Sequence, residues 1–354
     1  MSQSDDGFGD ARVDGCGHVA NNVPDPRKLV RELNAFRDPR RSRSAWELAV
    51  TVVPFLALFA GILFAVQAGY LLALALTPLA GLFLLRLFII QHDCGHGSFF
   101  PNRSGNDWLG RALGVFTLTP YDCWRRSHAL HHAGTGNLDA RGFGDVDTLT
   151  VREFSERSFL QRLFYRLYRQ PLVLLGIGPA YLFIVRHRLP IGQMKDGWLY
   201  WTSAMGTNAA TAILLLILGL VFGALVTTLV FLPVLLVAAS LGVWLFYVQH
   251  QFEEAHWETA ADWSFHDAAL GGSSYLQLPA PLRWFTGNIG IHHVHHLASR
   301  IPFYRLPEVL KAHPGLKTVN RITPRQAMRS LGLALWDEDR RRLVSFREAA
   351  RRAA

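Results

Sequence analysis

Cysteine is scarce in this chain of 354 residues: only Cys16, Cys94 and Cys123 are present. No Cys-x-x-Cys pair occurs among them, so neither a zinc ribbon nor a dithiol redox motif is encoded, and the odd count fits reduced thiols. Charge is also sparse, at 18% of residues. The string His-Glu-x-x-His is absent, which excludes a zincin-type protease site. No Gly-x-Gly-x-x-Gly follows a strand-like run, so no dinucleotide fingerprint supplies electrons from within the chain. There is no repeat of 20–50 residues and no long low-complexity tract. Residues 1–25 lack the apolar core of a signal peptide; they are polar and glycine-rich, and a disordered tail is expected there.

What the chain has in abundance is apolar blocks. Four of them, at about 46–66, 71–90, 208–226 and 228–249, approach the roughly 20 residues needed to cross a bilayer as a helix. A shorter run at 171–185, PLVLLGIGPAYLFIV, carries Gly and Pro and reads as a re-entrant or interfacial piece, or as an apolar part of a cap, rather than a fifth crossing. The formal net charge is +9, with Arg and Lys crowded into RKLVRELNAFRDPRRSRS ahead of the first block, 152–195 and 321–352. The links near 67–70 and 222–227 contain neither. The positive-inside rule accounts for this asymmetry without a nucleic-acid partner and puts both termini and the long middle loop in the cytosol. The fold class expected is an all-α integral membrane protein: four transmembrane helices in two hairpins, below a cytosolic helical cap at 91–205 and 250–320. The membrane domain is expected over 26–320, and 321–354 as a basic helical tail.

Eight of the fifteen histidines fall in three tight groups: His92-x-x-x-His96, His128-x-x-His131-His132 and His292-x-x-His295-His296. Spacings of three and four set side chains one helical turn apart on one face. A lone imidazole is usually a surface or satisfied core residue, but eight packed rings without a metal would leave nitrogens unsatisfied or, if protonated, repelling. More nitrogen donors than one four-coordinate zinc accepts suit two ions with open positions. Imidazole binds zinc, copper, iron and nickel, so the element stays open at this point. The carboxylate-rich pattern of soluble di-iron bundles is missing, since Glu253-x-x-His256 has no paired partner. The first group begins just after the second apolar block and His250 just after the fourth, so all can meet on one side of a membrane.

The strings HDCGHGSFF, HALHH, FYVQHQFEEAHW and NIGIHHVHHL resemble the boxes of the integral-membrane fatty-acid desaturases. The three-residue spacer between His92 and His96 is similar to the acyl-lipid Δ12/ω-3 branch; HHAGTGNLDARGFGDVDTLTV and IPFYRLPEVLKAHPGL are similar to its bacterial members. The likeness covers about residues 45–320. It implies a di-iron oxygenase that uses O2 and two external electrons to put a double bond in a fatty acyl chain. It also implies iron ligands at His92, His96, His128, His131, His132, His292, His295 and His296, with His250 as the ninth.

Ligand histidines commonly donate their second N–H to a carboxylate or carbonyl. Asp93 and Glu253 are candidates for that role, His256 and His293 read as imidazoles outside the ligand set, and Asn288 is placed to reach a metal through water. Trp124, Phe252, Trp257 and Trp284 sit near the boxes and are candidates to line the acyl path. No fused haem motif His-Pro-Gly-Gly is present, so the expected reductant is a soluble carrier such as ferredoxin, drawn to a basic cytosolic face. Substrates are expected to be acyl lipids, or acyl-CoA or acyl carrier protein, in a bacterial cytoplasmic membrane. Two alternatives remain: a lipid or carotenoid hydroxylase or ketolase on the same scaffold, and, more remotely, a divalent-metal transporter.

Overall fold

The computed structural model describes residues 26–142 and 146–353. The expected disordered tail, 1–25, lies outside the described residues. A short helix α1 (Pro26–Leu33) precedes α2 (Arg41–Gln67), and a 3-10 turn at Leu71–Leu76 leads into α3 (Thr77–His96). The first part of the cap follows as α4 (Arg103–Phe116), α5 (Tyr121–Gly134), β1 (Leu149–Thr150), α6 (Val151–Glu156) and α7 (Phe159–Tyr168). The short α8 (Gly178–Ala180) lies between two π-helical turns, and α9 (Trp198–Phe222) and α10 (Ala224–His250) form the second hairpin. The rest of the cap comprises α11 (Phe265–Gly271), β2 (Tyr275–Leu276), α12 (Ala280–Phe285), α13 (His292–Leu297) and α14 (Leu306–Ala312). The chain ends through β3 (Arg321–Ile322), α15 (Pro324–Ser330), β4 (Leu335–Asp337), β5 (Arg342–Val344) and α16 (Phe346–Ala353).

Four helical segments are long and apolar enough to span a membrane: Arg41–Gln67, Leu71–His96, Trp198–Phe222 and Ala224–His250. Their outer faces carry exposed Val53, Phe64, Leu216, Leu220 and Leu225, as contact with lipid requires. The third span begins about ten residues earlier than the apolar block predicts. The reason is local: Ser203, Thr207 and Thr211 of α9 are buried, with Ser203 Oγ accepting from Asp122 N at 3.1 Å and Thr211 Oγ1 donating to Val115 O at 3.2 Å. These polar residues face protein rather than lipid, so hydropathy understates the helix. Gly223, at φ +79°, makes the turn between α9 and α10 in a conformation that side-chain-bearing residues rarely adopt. All but the first two residues of the 171–185 run lie in the helical segment Val173–Arg188, which meets α7 at 60°: a broken span or a re-entrant loop by composition.

The centre of the membrane bundle is α3, packed against α2, α4 and α10. Its one charged residue within the apolar block, Arg86, is buried and paired with Glu47 of α2. The guanidinium also donates to Thr51 Oγ1 at 3.1 Å and to the Trp284 carbonyl, and lies 4.0 Å from the centroid of the Trp284 ring. Each polar atom has a partner, the condition for keeping an ion inside a low-dielectric bundle.

The C-terminal segment departs from the expected helical tail. It holds three strands as well as α15 and α16. β4 runs parallel to β1 (Leu149 opposite Leu335) and antiparallel to β5 (Leu335 opposite Val344), while β3 runs parallel to β2 (Tyr275 opposite Arg321). Leu335, Trp336, Leu343 and Val344 are buried. Arginine content suggested a solvated helix, whereas the apolar residues on both sides of Asp337–Arg341 make a hairpin that closes the cap.

Candidate metal centre

Nine imidazoles converge where the C-terminal ends of α3 and α10 meet the cap. α3 supplies His92 and His96, α5 supplies His128, His131 and His132, α10 supplies His250, and α13 supplies His292, His295 and His296. Gly97, at φ +67°, ends α3 directly after His96. The rings form two sets, His92, His96, His128, His132 and His295 in one and His131, His250, His292 and His296 in the other. Within each set the candidate ligand nitrogens lie within 4.8 Å of one another.

Helical geometry explains the sorting. At about 100° per residue, positions i and i+4 diverge by only about 40°, while i+3 turns about 60° the other way. On α5 the i, i+4 pair His128 and His132 serves the five-ring set, and His131 turns to the four-ring set. On α13 the roles are exchanged: His292 and His296 serve the four-ring set and His295 the five-ring set. Each short helix therefore feeds both sets from one turn.

In the five-ring set, His128 Nε2 lies 3.0 Å from His96 Nε2 and 3.1 Å from His132 Nε2, and His132 Nε2 is 3.2 Å from His295 Nε2. In the four-ring set, His250 Nε2 lies 3.2 Å from His131 Nε2 and 2.9 Å from His292 Nε2, with His292 Nε2 3.1 Å from His296 Nε2. Two nitrogens about 2.1 Å from one metal at right angles stand about 3.0 Å apart, so these spacings fit coordination. They fit direct hydrogen bonding poorly. A neutral ring nitrogen has one proton or one lone pair, and His128 and His292 each face two neighbours.

Burial, and then the neighbouring rings, hold His128, His132, His292, His295 and His296 well below the ordinary imidazole range. The rings are therefore neutral near pH 7, the state that binds metal. Their tautomers are set from behind where partners exist. His250 Nδ1 lies 3.1 Å from the Gly272 carbonyl, which can only accept, so His250 Nε2 carries its lone pair inward. His92 Nδ1 lies 3.3 Å from Asp93 Oδ1, while Asp93 Oδ2 accepts the Phe303 N–H at 2.7 Å. Asp93 thus sits where a ring-orienting carboxylate is expected.

The other expected residues divide. Trp124 stacks on His128 at 4.6 Å and also contacts His92 and Phe88. Trp257 lines a small cavity beside His250, together with Phe246, Tyr247, Val146 and Thr135. His293 is buried, its Nε2 2.9 Å from the Leu316 carbonyl, on the side of α13 away from the two sets. Glu253 is not at the centre: its exposed carboxylate pairs with Arg342. Glu253 follows His250 by three residues, a spacing that would share a face only on a continuing helix, but α10 ends at His250. His256 lies in a loop, its Nε2 3.5 Å from Glu258 Oε1. Asn288 takes a left-handed turn conformation at φ +55° and donates to the Phe303 carbonyl at 3.2 Å, a turn-forming role. Phe252 packs in the main hydrophobic core, and Trp284 lies under Arg86 and against Phe83 and Phe285. Neither lines the cavity beside His250.

Sequence reading missed Phe246, whose ring lies 4.9 Å from His131 and 5.3 Å from His250. Its position one helical turn before His250 was the available signal. It also missed Arg169, which donates to Tyr247 Oη at 3.0 Å, Gln251 Oε1 at 2.9 Å and the Leu333 carbonyl at 2.9 Å, tying α10 to the C-terminal segment behind the cavity. Distance along the chain hid that contact.

A family profile described as fatty acid desaturase matches residues 68–318. The chain is 42% identical over 323 residues to a fatty acid desaturase of Bacillus subtilis (strain 168), covering 91% of each chain. It is 32% identical over 241 residues to an sn-1 acyl-lipid omega-3 desaturase (ferredoxin) of Synechocystis sp., covering 64% of this chain and 63% of the relative. To an sn-1 oleoyl-lipid 12-desaturase of the same organism it is 28% identical over 239 residues, covering 65% and 64%.

Proposed function

The chain belongs to the fatty acid desaturase family, and on that premise we propose that the two imidazole sets hold two iron ions, five rings on one and four on the other. The protein is a membrane oxidoreductase that introduces double bonds into fatty acyl chains. Relatives named as desaturases leave the hydroxylase or ketolase alternative unfavoured. The observation that carries the two-ion reading is the partition of nine nitrogens into two sets with spacings of 2.9–3.2 Å.

Iron held by these nine rings would supply O2 activation for removing two hydrogens from adjacent methylenes. The remaining tasks fall to the protein. Asp93 orients His92, the Gly272 carbonyl orients His250, and the buried four-ring set keeps bulk water away from the reacting carbons. Phe246, Tyr247, Trp257 and Val146 line only a small space beside His250, about 10 Å3, so an acyl chain that takes its register there displaces these apolar side chains to enter. The substrate is an acyl lipid and the electron donor a ferredoxin, as the names of the cyanobacterial relatives suggest. Both termini and the two sets face the cytosol of a bacterial cytoplasmic membrane, supported by the Lys/Arg-free links between spans.

Expression in a bacterium lacking polyunsaturated lipids, followed by mass spectrometry of its fatty acids, tests this reading. Loss of two hydrogens per acyl chain is the expected outcome. A gained oxygen atom would mean hydroxylation, and an unchanged profile in cells holding iron-loaded protein would overturn the proposal.

A further inference from the structure

The two imidazole sets differ in their access to the cytosolic side. All four rings of the smaller set are buried, whereas His96 and His132 of the larger are only partly so. A depression of about 360 Å3 reaches His96; its other lining residues are Cys94, Gly95, Gly97, Pro101, Arg103, Asp107, Arg125 and Arg300. Three arginines thus face a single aspartate. Asp107 is already engaged: it accepts from Arg125 Nη1 at 2.8 Å and Tyr121 Oη at 2.9 Å, with Arg103 Nε 3.6 Å away. Arg300 is exposed and makes no ion pair among the described residues. Asp122 also lies 3.8 Å from Arg125 but is paired with Arg111, so the depression keeps a net positive charge adjoining one ring of the centre.

We infer that this depression is the docking point of an acidic one-electron carrier protein, which delivers electrons to the five-ring set along the edge of His96. The inference rests on the desaturase reading. Desaturation balances as one –CH2–CH2– unit, O2, two electrons and two protons giving one –CH=CH– unit and two waters. A one-electron carrier must therefore dock twice per turnover, and fast, salt-sensitive docking suits a charged face. A depression of this size admits acidic side chains rather than a folded carrier, so the carrier lies over it and inserts a carboxylate between Arg103 and Arg300. The lining, rather than the volume, argues against a lipid substrate in the depression. Its lining offers Pro101 and Cys94 but no aromatic or branched wall, whereas the cavity beside His250 has Phe246, Trp257 and Val146. Carrier and acyl chain thereby approach different sets.

The test uses the iron-loaded enzyme in nanodiscs and a plant-type [2Fe–2S] ferredoxin. Arg300→Glu, alone and with Arg103→Glu, is measured for ferredoxin affinity by surface plasmon resonance at two salt concentrations. The same variants are assayed for turnover with ferredoxin and, after anaerobic reduction by dithionite and removal of the excess, for a single dithionite-driven turnover on admitting O2. The double variant should bind ferredoxin about ten-fold more weakly at low salt, with the difference shrinking at high salt. Its KM for ferredoxin should rise in parallel while dithionite-driven turnover stays at the wild-type rate. Unchanged ferredoxin affinity would overturn the inference. So would unchanged carrier affinity joined to weakened binding of acyl lipid, which would make the depression a headgroup site. If the wild-type enzyme makes no unsaturated product even with dithionite, the desaturase reading fails on its own, and the binding measurement still decides the docking surface.

Discussion

At the scale of the residue, the centre depends on imidazoles that stay neutral while buried. His131 faces Phe246 on one side and meets His250 at 3.2 Å, which places it in the four-ring set. His131→Ala should abolish product while membrane insertion is retained, with the iron content of purified protein falling alongside; full turnover in that variant would remove His131 from the set. Asp93→Asn keeps an acceptor for the Phe303 N–H but replaces the carboxyl beside His92 Nδ1 with an amide, and metal affinity should drop about 10- to 100-fold in a chelator competition. Acidity acts on the same rings. Burial holds His128, His132, His292, His295 and His296 below their ordinary range, so in acid the unfolded chain binds more protons than the folded one. Stability should therefore begin to fall as pH drops through about 6.5, the free imidazole value, and keep falling towards the depressed folded values. Thermal melts of metal-free protein across pH 5–8 (a range set by about that value) read this directly, and a melting temperature that rose on acidification would contradict it.

At the scale of the element, what could be read from sequence followed the period of the structure. Groups spaced by three and four announced α5 and α13, because a helix repeats on that interval. His250 was legible only through the resemblance of FYVQHQFE to a family box, and Glu253 was misplaced because nothing in the sequence marks the end of α10 at His250. The start of α9 was hidden by Ser203, Thr207 and Thr211, which are polar yet buried against α4 and α5. The strands β3 to β5 were hidden by their arginines. Two of these misreadings share a cause: composition reports average polarity, while the fold responds to which side of an element each residue faces. The β4–β5 hairpin makes a prediction at this scale. Trp336 is buried at 2% exposure next to the β1 pairing, so Trp336→Ala should cost about 3–5 kcal/mol and lower the melting temperature in detergent. A melt indistinguishable from wild type would mean that the hairpin is a detachable tail.

At the scale of the whole molecule, the chain separates two environments. Four apolar helices provide the membrane anchor, and the cap gathers α5, α13 and the ends of α3 and α10 over one end of it. The Arg86–Glu47 pair fastens α2 to α3 inside that anchor and reaches α12 through the Trp284 carbonyl. Removing one partner strands the other: Glu47→Ala should be more destabilising than the double change Glu47→Leu with Arg86→Met, by about 3–5 kcal/mol for the uncompensated charge. Fluorescence size-exclusion profiles after graded heating would rank the variants, and equal loss in both would show that the pair carries no charge penalty.

The unequal cover of the two imidazole sets has a consequence for how the enzyme dies. On the two-ion reading, a small chelator can approach the five-ring seat past His96 and His132, whereas the fully buried four-ring seat is reached only by the narrow space beside His250, past Phe246 and Trp257. Stripping should accordingly run in two phases, with a long-lived half-depleted form between them. Inactivation would track the first phase, and adding back ferrous iron at that stage would revive the enzyme without any refolding.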